Sequence, residues 1–196
     1  GCRVAPSRSS SFAPSRAALG GTQGVLQRLV PFHGEAGRSM QASCTTSAGS
    51  CEFDCGNGVK YDLTPLKPKL GPLGSDWHAQ DSDHHDYYWQ VCNKAPHTAC
   101  SSSTVQSIAA VQTWPTSEDS DGTGCAAIGD LSQGDCMPTD TSNPKQGLTC
   151  TYSGGDGGRS VTFNWQCSQT ASDPTAASTQ GSLKYTLTHQ TPAGCA

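Results

Sequence analysis

Charge is scarce in this sequence. Only 14% of its 196 residues are Asp, Glu, Lys or Arg, against ~25% in an ordinary soluble domain, so a chain kept unfolded by its own charge is excluded. Long apolar runs are missing as well: the best, Val25 to Phe32, is interrupted by Gln27, Arg28 and Pro31 and falls short of the ~18 residues a membrane helix needs. No C-x2-C spacing occurs; the nearest thing, Cys51-x3-Cys55, has no second pair to complete a zinc site. Neither G-x-S-x-G nor another nucleophile setting is present, which leaves hydrolase chemistry without support. The sequence also holds no Asn-x-Ser/Thr sequon, so this segment itself carries no N-glycan. It opens with Gly1 and lacks an apolar core segment near its start; a secretory signal is expected to have stood upstream and been removed or left out.

Cysteine, by contrast, is abundant. The 11 cysteines are too dense for a reducing cytosol unless they bind metal, and without metal spacing they read as disulfides of a secretory, lumenal or extracellular protein. Ten of them lie from Cys44 onward, which permits five bridges and leaves Cys2 over. Charge divides at the same point. Residues 1–43 carry five Arg (Arg3, Arg8, Arg16, Arg28, Arg38) against Glu35 alone, a balance of +4, so the total of −4 leaves −8 for the remainder. The boundary is therefore placed near residue 43. Residues 1–43 read as an Arg/Ser-rich linker or the remnant of a targeting segment, and residues 44–196 as one domain, within the usual ~100–200 residues. A domain of that charge does not invite nucleic acid.

Residues 44–196 show short alternating segments between Gly, Pro, Asn and Asp clusters, with no long stretch of helical period, which predicts an all-β barrel or sandwich. The expected strands are Val59–Leu66, Tyr87–Cys92, Val105–Trp114, Leu148–Tyr152, Arg159–Cys167 and Leu183–His189. The clearest hairpin joins Leu148–Tyr152 to Arg159–Cys167 through Ser153-Gly154-Gly155-Asp156-Gly157-Gly158, where glycine supplies the positive φ a tight reversal needs. Period-two reading puts Val161, Phe163, Trp165 and Cys167 on the core face, with Arg159 beginning that face, and puts Leu183, Tyr185 and Leu187 on the buried face of the last strand. An inward tyrosine and a cation at the mouth of an apolar interior both need polar partners.

At these residues the sequence resembles the mannose 6-phosphate receptor homology domain, found in lysosomal enzyme receptors and in glycan-reading lectins of the endoplasmic reticulum. The likeness runs through most of residues 51–195. Cys55 to Leu66 is similar to the family's first-strand motif, Tyr87-Tyr88-Trp89-Gln90-Val91-Cys92 to the strand that ends in a disulfide cysteine, and Ala109-Ala110-Val111-Gln112 to the strand carrying a sugar-binding Gln. Leu148 to Asp156 and Arg159 to Cys167 follow, with Arg159 eight positions before a cysteine; Tyr185 stands ten before Cys195, also the family spacing.

The resemblance implies a disulfide-stapled, flattened antiparallel β-barrel that hydrogen-bonds a mannose ring through a Gln, an Arg, a Glu and a Tyr. Gln112, Arg159 and Tyr185 carry over by motif. Gln112 shares strand parity with Ile108, Ala110 and Trp114, and Gln106 is the alternative if the register slips. The Glu has no counterpart between Cys167 and Tyr185: Asp173 is the sole carboxylate there, and Thr175 falls at the expected spacing. Losing a charged acceptor from such a pocket removes a hydrogen bond worth ~1.5–3 kcal/mol. The longer loop of the phosphate-reading receptors is absent, since Gly157 and Gly158 alone separate Asp156 from Arg159, and Leu183 holds the place of a clamping cysteine; specific phosphate recognition is not expected. The resemblance further implies a Cys167–Cys195 bridge and a bridge from Cys92 to Cys51 or Cys55, with Cys100–Cys125 and Cys136–Cys150 as the remaining assignments.

One more constellation, Asp76 to Asp86, clusters carboxylates and imidazoles that could hold a divalent ion or sense pH; it reads as a solvated polar loop before a strand. The expectation is thus a non-catalytic binding module of the secretory or endolysosomal system, without metal or cofactor, that recognises mannose-containing glycans on glycoprotein cargo. The alternative is a sugar-blind structural or accessory subunit that binds a partner protein with the same barrel, with room for a membrane anchor outside residues 1–196.

Overall fold

The computed structural model describes residues 43–47, 49–67, 76–95, 100, 102–116 and 123–196, with Thr123 and Gln180 described by their backbone alone. The flank of residues 1–43 lies outside the described residues except for residue 43.

The described residues form β-strands and short 3-10 turns, with no α-helix among them. Strands β1 (Glu52–Asp54) and β2 (Lys60–Asp62) make a separate hairpin in which Phe53 faces Tyr61. A four-stranded antiparallel sheet runs β3 (Trp77–Gln80), β4 (Asp86–Trp89), β5 (Ala110–Pro115), β6 (Thr123–Ala127) in order. The third sheet has five strands: β7 (Gly134–Pro138), β8 (Gly147–Tyr152), β9 (Ser160–Cys167), then β11 (Lys184–Thr191), with β10 (Thr175–Thr179) outermost. The last strand is therefore inserted between β9 and β10. It pairs in parallel with β9, Tyr185 beside Val161 and Leu187 beside Phe163. The all-β expectation holds; the three ladders stay separate, and no hydrogen-bonded pairing closes them into a barrel among the described residues.

Alternation decides which strands are easy to recognise. In β9 the residues Val161, Phe163 and Trp165 are buried while their neighbours are half-exposed, and its antiparallel pairing with β8 follows the expected hairpin, Leu148 opposite Trp165 and Tyr152 opposite Val161. The expected strand Val59–Leu66 pairs over Lys60–Asp62 alone, because Pro65 cannot donate to a ladder and starts a 3-10 turn at Thr64–Leu66. The expected strand Val105–Trp114 becomes regular only at Ala110; before it, Ile108 makes one isolated bridge to Asp130. Strands β1, β3, β6, β7 and β10 were not expected. In β6, β7 and β10, small residues, Gly and Pro blur the period-two signal.

One core gathers residues from all three sheets, among them Phe53, Tyr61, Trp89, Leu148, Phe163 and Leu187. A smaller cluster of Ala95, Cys100, Val105, Ile108, Val111 and Ala127 covers the other side of β5. Five cysteine pairs lie at bonding distance: Cys44–Cys55, Cys51–Cys92, Cys100–Cys125, Cys136–Cys150 and Cys167–Cys195. The open choice for Cys92 falls on Cys51, and Cys55 takes Cys44. Five bridges of this kind suggest an oxidising environment, extracellular or in the secretory lumen. No helix among the described residues is long and apolar enough to cross a membrane.

Candidate functional site

Gln112 and Tyr87 are direct cross-strand partners on β5 and β4. Both side chains are buried, at 2% and 0% exposure, so each must find its polar partner inside the protein. Gln112 Nε2 donates to Tyr87 Oη at 3.1 Å. Tyr87 Oη in turn donates to Asp81 Oδ2 at 2.7 Å. The ring of Tyr87 lies 5.9 Å from that of Tyr185, which projects from β11 in the other sheet. Tyr185 Oη accepts from Arg159 Nε at 3.3 Å. Residues from β4, β5, β11 and the turn before β9 thus meet in one polar cluster between the sheets.

Arg159 is positioned by the glycine-rich hairpin that precedes it. Its Nη1 donates to the carbonyl of Asp156 at 2.9 Å, and the Asp156 carboxylate is turned away, accepting from Ala127 N at 2.8 Å and Ser103 Oγ at 3.0 Å. The hairpin lies close against the end of β6: a Cβ on Gly155 would meet Gly129 N at 2.4 Å and Ala127 O at 2.6 Å. Gly157 has φ of 62°, in the left-handed region. No carboxylate lies within ion-pair distance of the half-buried Arg159 guanidinium among the described residues, and two of its five N–H donors are used.

The segment Asp76 to Asp86, expected as a solvated loop, is instead strand β3 and the turn into β4. It brings Asp81 into the cluster. Asp81 is 7% exposed; its Oδ1 accepts from the backbone N–H groups of Asp83 and His85, each at 3.0 Å, and the His85 ring Nδ1 stands 3.2 Å from both carboxylate oxygens. Burial alone would raise the pKa of Asp81, but the hydrogen bonds from Tyr87, the His85 backbone, Ser178 and the His85 ring outweigh it and hold the carboxyl at about 2. Burial, the Asp81 hydrogen bond and the nearby charges push the Tyr87 phenol upward, with Ser178 opposing. Asp81, Asp83 and His85 could offer ligand atoms within 4.8 Å of one another to a metal ion. The oxygens of Asp81 are already engaged, which favours a structural role for them.

The expected residues divide clearly. Arg159 and Tyr185 meet directly, and Gln112 is linked to them through Tyr87, whose ring lies beside that of Tyr185. Gln112 keeps the face of Ala110, but Ile108 turns into the second core cluster, so the parity read through Ile108 does not continue. Gln106 is exposed and donates to Thr104 O at 3.3 Å, apart from the cluster. Asp173 is exposed on the loop before β10; the adjacent Ser172 N bonds the carbonyl of Gln190 at 3.0 Å, five residues along β11 from Tyr185 and so roughly 17 Å away at a strand's rise. The carboxylate that reaches the tyrosines is Asp81. Two clefts, of about 680 and 250 Å³, lie against the β1–β2 hairpin and share no lining residue with the cluster. No protein-family model matches the sequence, and no curated protein does.

Proposed function

We propose that residues 44–196 form a non-catalytic binding module of the secretory or endolysosomal system that recognises mannose-containing glycans on glycoproteins, in the manner of the mannose 6-phosphate receptor homology domains the sequence resembles, with the flattened barrel that likeness implies. The observation that carries this reading is that Arg159, in the turn before β9, bonds Tyr185 of β11, whose ring lies beside that of Tyr87, the partner of Gln112 in the other large sheet. Arg159 strengthens it. A half-buried guanidinium with no carboxylate partner among the described residues calls for an acceptor, and a sugar hydroxyl or ring oxygen supplies one. The disulfide-stapled all-β fold suits an extracellular or lumenal lectin.

A second reading, a sugar-blind accessory module that binds a partner protein, draws on a different observation. Gln112 and Tyr185 are 2% and 1% exposed and already bond within the cluster, as in a plugged site. Isothermal titration with mannose and mannose disaccharides separates the two. Heat at millimolar sugar that vanishes in Arg159→Ala supports the lectin. Silence at millimolar sugar sinks it, and unchanged affinity in Arg159→Ala removes the pocket from this location.

A further inference from the structure

We infer that the carboxylate of Asp81, acting through Tyr87, sets the hydrogen-bond polarity of Gln112, so that the site offers a ligand hydroxyl an acceptor at Gln112 beside donors at Arg159 and Tyr185. The ligand class rests on the glycan reading above. The polarity chain itself does not.

The chain follows from what each group can do. A carboxylate only accepts. Asp81 Oδ2 therefore takes the Tyr87 proton, and the Tyr87 oxygen is left to accept. It accepts from Gln112, which obliges the amide nitrogen, not the oxygen, to face Tyr87. Oε1 of Gln112 then points the other way and has no partner among the described residues. At the opposite side, Tyr185 Oη accepts from Arg159 Nε, so its own proton is free to be donated, and Arg159 keeps unused N–H groups. A hydroxyl is both donor and acceptor; on the glycan reading, a ligand hydroxyl would donate to Gln112 and accept from Arg159 or Tyr185. Asp81 touches no ligand in this arrangement. It is a positioning residue, and its ionised state is secured by the hydrogen bonds that hold its pKa low.

Asp81→Asn inverts the chain with little change of shape. The oxygen that accepts from Asp83 N and His85 N must remain an oxygen, so the new amide nitrogen faces Tyr87 and donates to it. Tyr87 then donates to residue 112, the Gln112 amide turns over, and its NH2 group faces the ligand. The expected outcome for mannose is a loss of about tenfold or more, the worth of one hydrogen bond at a desolvated site. The double variant Asp81→Asn with Gln112→Glu restores an acceptor on the ligand side and recovers most of the affinity, which a merely structural role for Asp81 does not predict. Tyr87→Phe keeps the ring, breaks the chain and loses affinity, and serves if Asp81→Asn does not fold.

A ligand-free readout separates this inference from the glycan reading. In the wild-type protein, proton NMR should show cross-relaxation between the Gln112 side-chain amide protons and the Tyr87 ring; in folded Asp81→Asn it should disappear. If the wild type binds no mannose, the glycan reading fails while the amide signal still decides the polarity. An amide signal unchanged in Asp81→Asn, or a double variant that binds no better than Asp81→Asn, overturns the inference.

Discussion

Arg159 and Tyr185 meet across the junction of β9 and β11, Nε to Oη at 3.3 Å, although 26 residues separate them in the chain. Neither is held by an opposite charge among the described residues. Tyr185→Phe removes the acceptor while keeping the ring, so the guanidinium retains only the Asp156 carbonyl. The expected loss is about 0.5–1.5 kcal/mol of stability, read from denaturant midpoints at constant m-value.

The turn that carries Arg159 depends on the Asp156 side chain. Its two oxygens tie the turn to Ala127 and Ser103. Asp156→Ala leaves the Ala127 N–H without its partner and is expected to cost about 1.5–3 kcal/mol, the range for a bond to a charged group. Asp156→Asn should cost less, because the amide oxygen can still accept from Ala127. Urea unfolding of the two variants checks the order; equal and negligible losses would contradict it.

His189 predicts how stability depends on pH. It is 4% exposed, packs with its ring tilted against Trp77 at a centroid distance of 4.5 Å, and its Nδ1 is buried without a partner among the described residues. Burial pushes its pKa below the usual histidine value, against the opposing pull of the Ser172 backbone and the Asp173 charge. The unfolded chain then binds a proton that the folded protein refuses, so stability is highest above the unfolded pKa of ~6.5 and falls as pH drops below it. Melting temperatures between pH 7.5 and 5 should decline, and His189→Phe, which retains a ring against Trp77, should flatten the decline. An identical slope in the variant would discharge His189 from this role.

Non-reducing peptide mapping should recover Cys44–Cys55 and Cys51–Cys92 as separate bridges. A Cys55–Cys92 peptide would contradict the arrangement around β1. Replacing both Cys167 and Cys195 with Ser opens a bridge of sequence separation 28 and should cost about 3–4 kcal/mol in the chain-entropy account.

Alternation made part of this architecture legible. Val161, Phe163 and Trp165 alternate with polar neighbours, so β9 and its hairpin with β8 could be read directly, and with them the position of Arg159. The rest was obscured for physical reasons. Thr175-Ala176-Ala177-Ser178-Thr179 presents small, half-exposed side chains on an edge strand, too little apolar contrast for period two to register. Asp81 opens the turn-forming run Asp81-Ser82-Asp83, and a polar turn usually faces water; nothing local reveals that Tyr87, six residues on, returns beneath it with a hydroxyl that needs an acceptor. The pairing of Gln112 with Tyr87 was likewise invisible, since it depends on the register of β4 against β5.

The position of β11 between β9 and β10 also orders events during synthesis. Chains emerge from their N-terminus, so β9 leaves the ribosome with its apolar residues and an open edge well before its parallel partner exists. β10 cannot fill the gap, because its ladder partner is β11 itself. Until the last strand arrives, Val161, Phe163 and Trp165 border an unpaired edge of the kind that templates aggregation. The nascent protein should therefore be most prone to aggregation in the interval between these two strands, and a chain cut short before Lys184 should aggregate rather than fold.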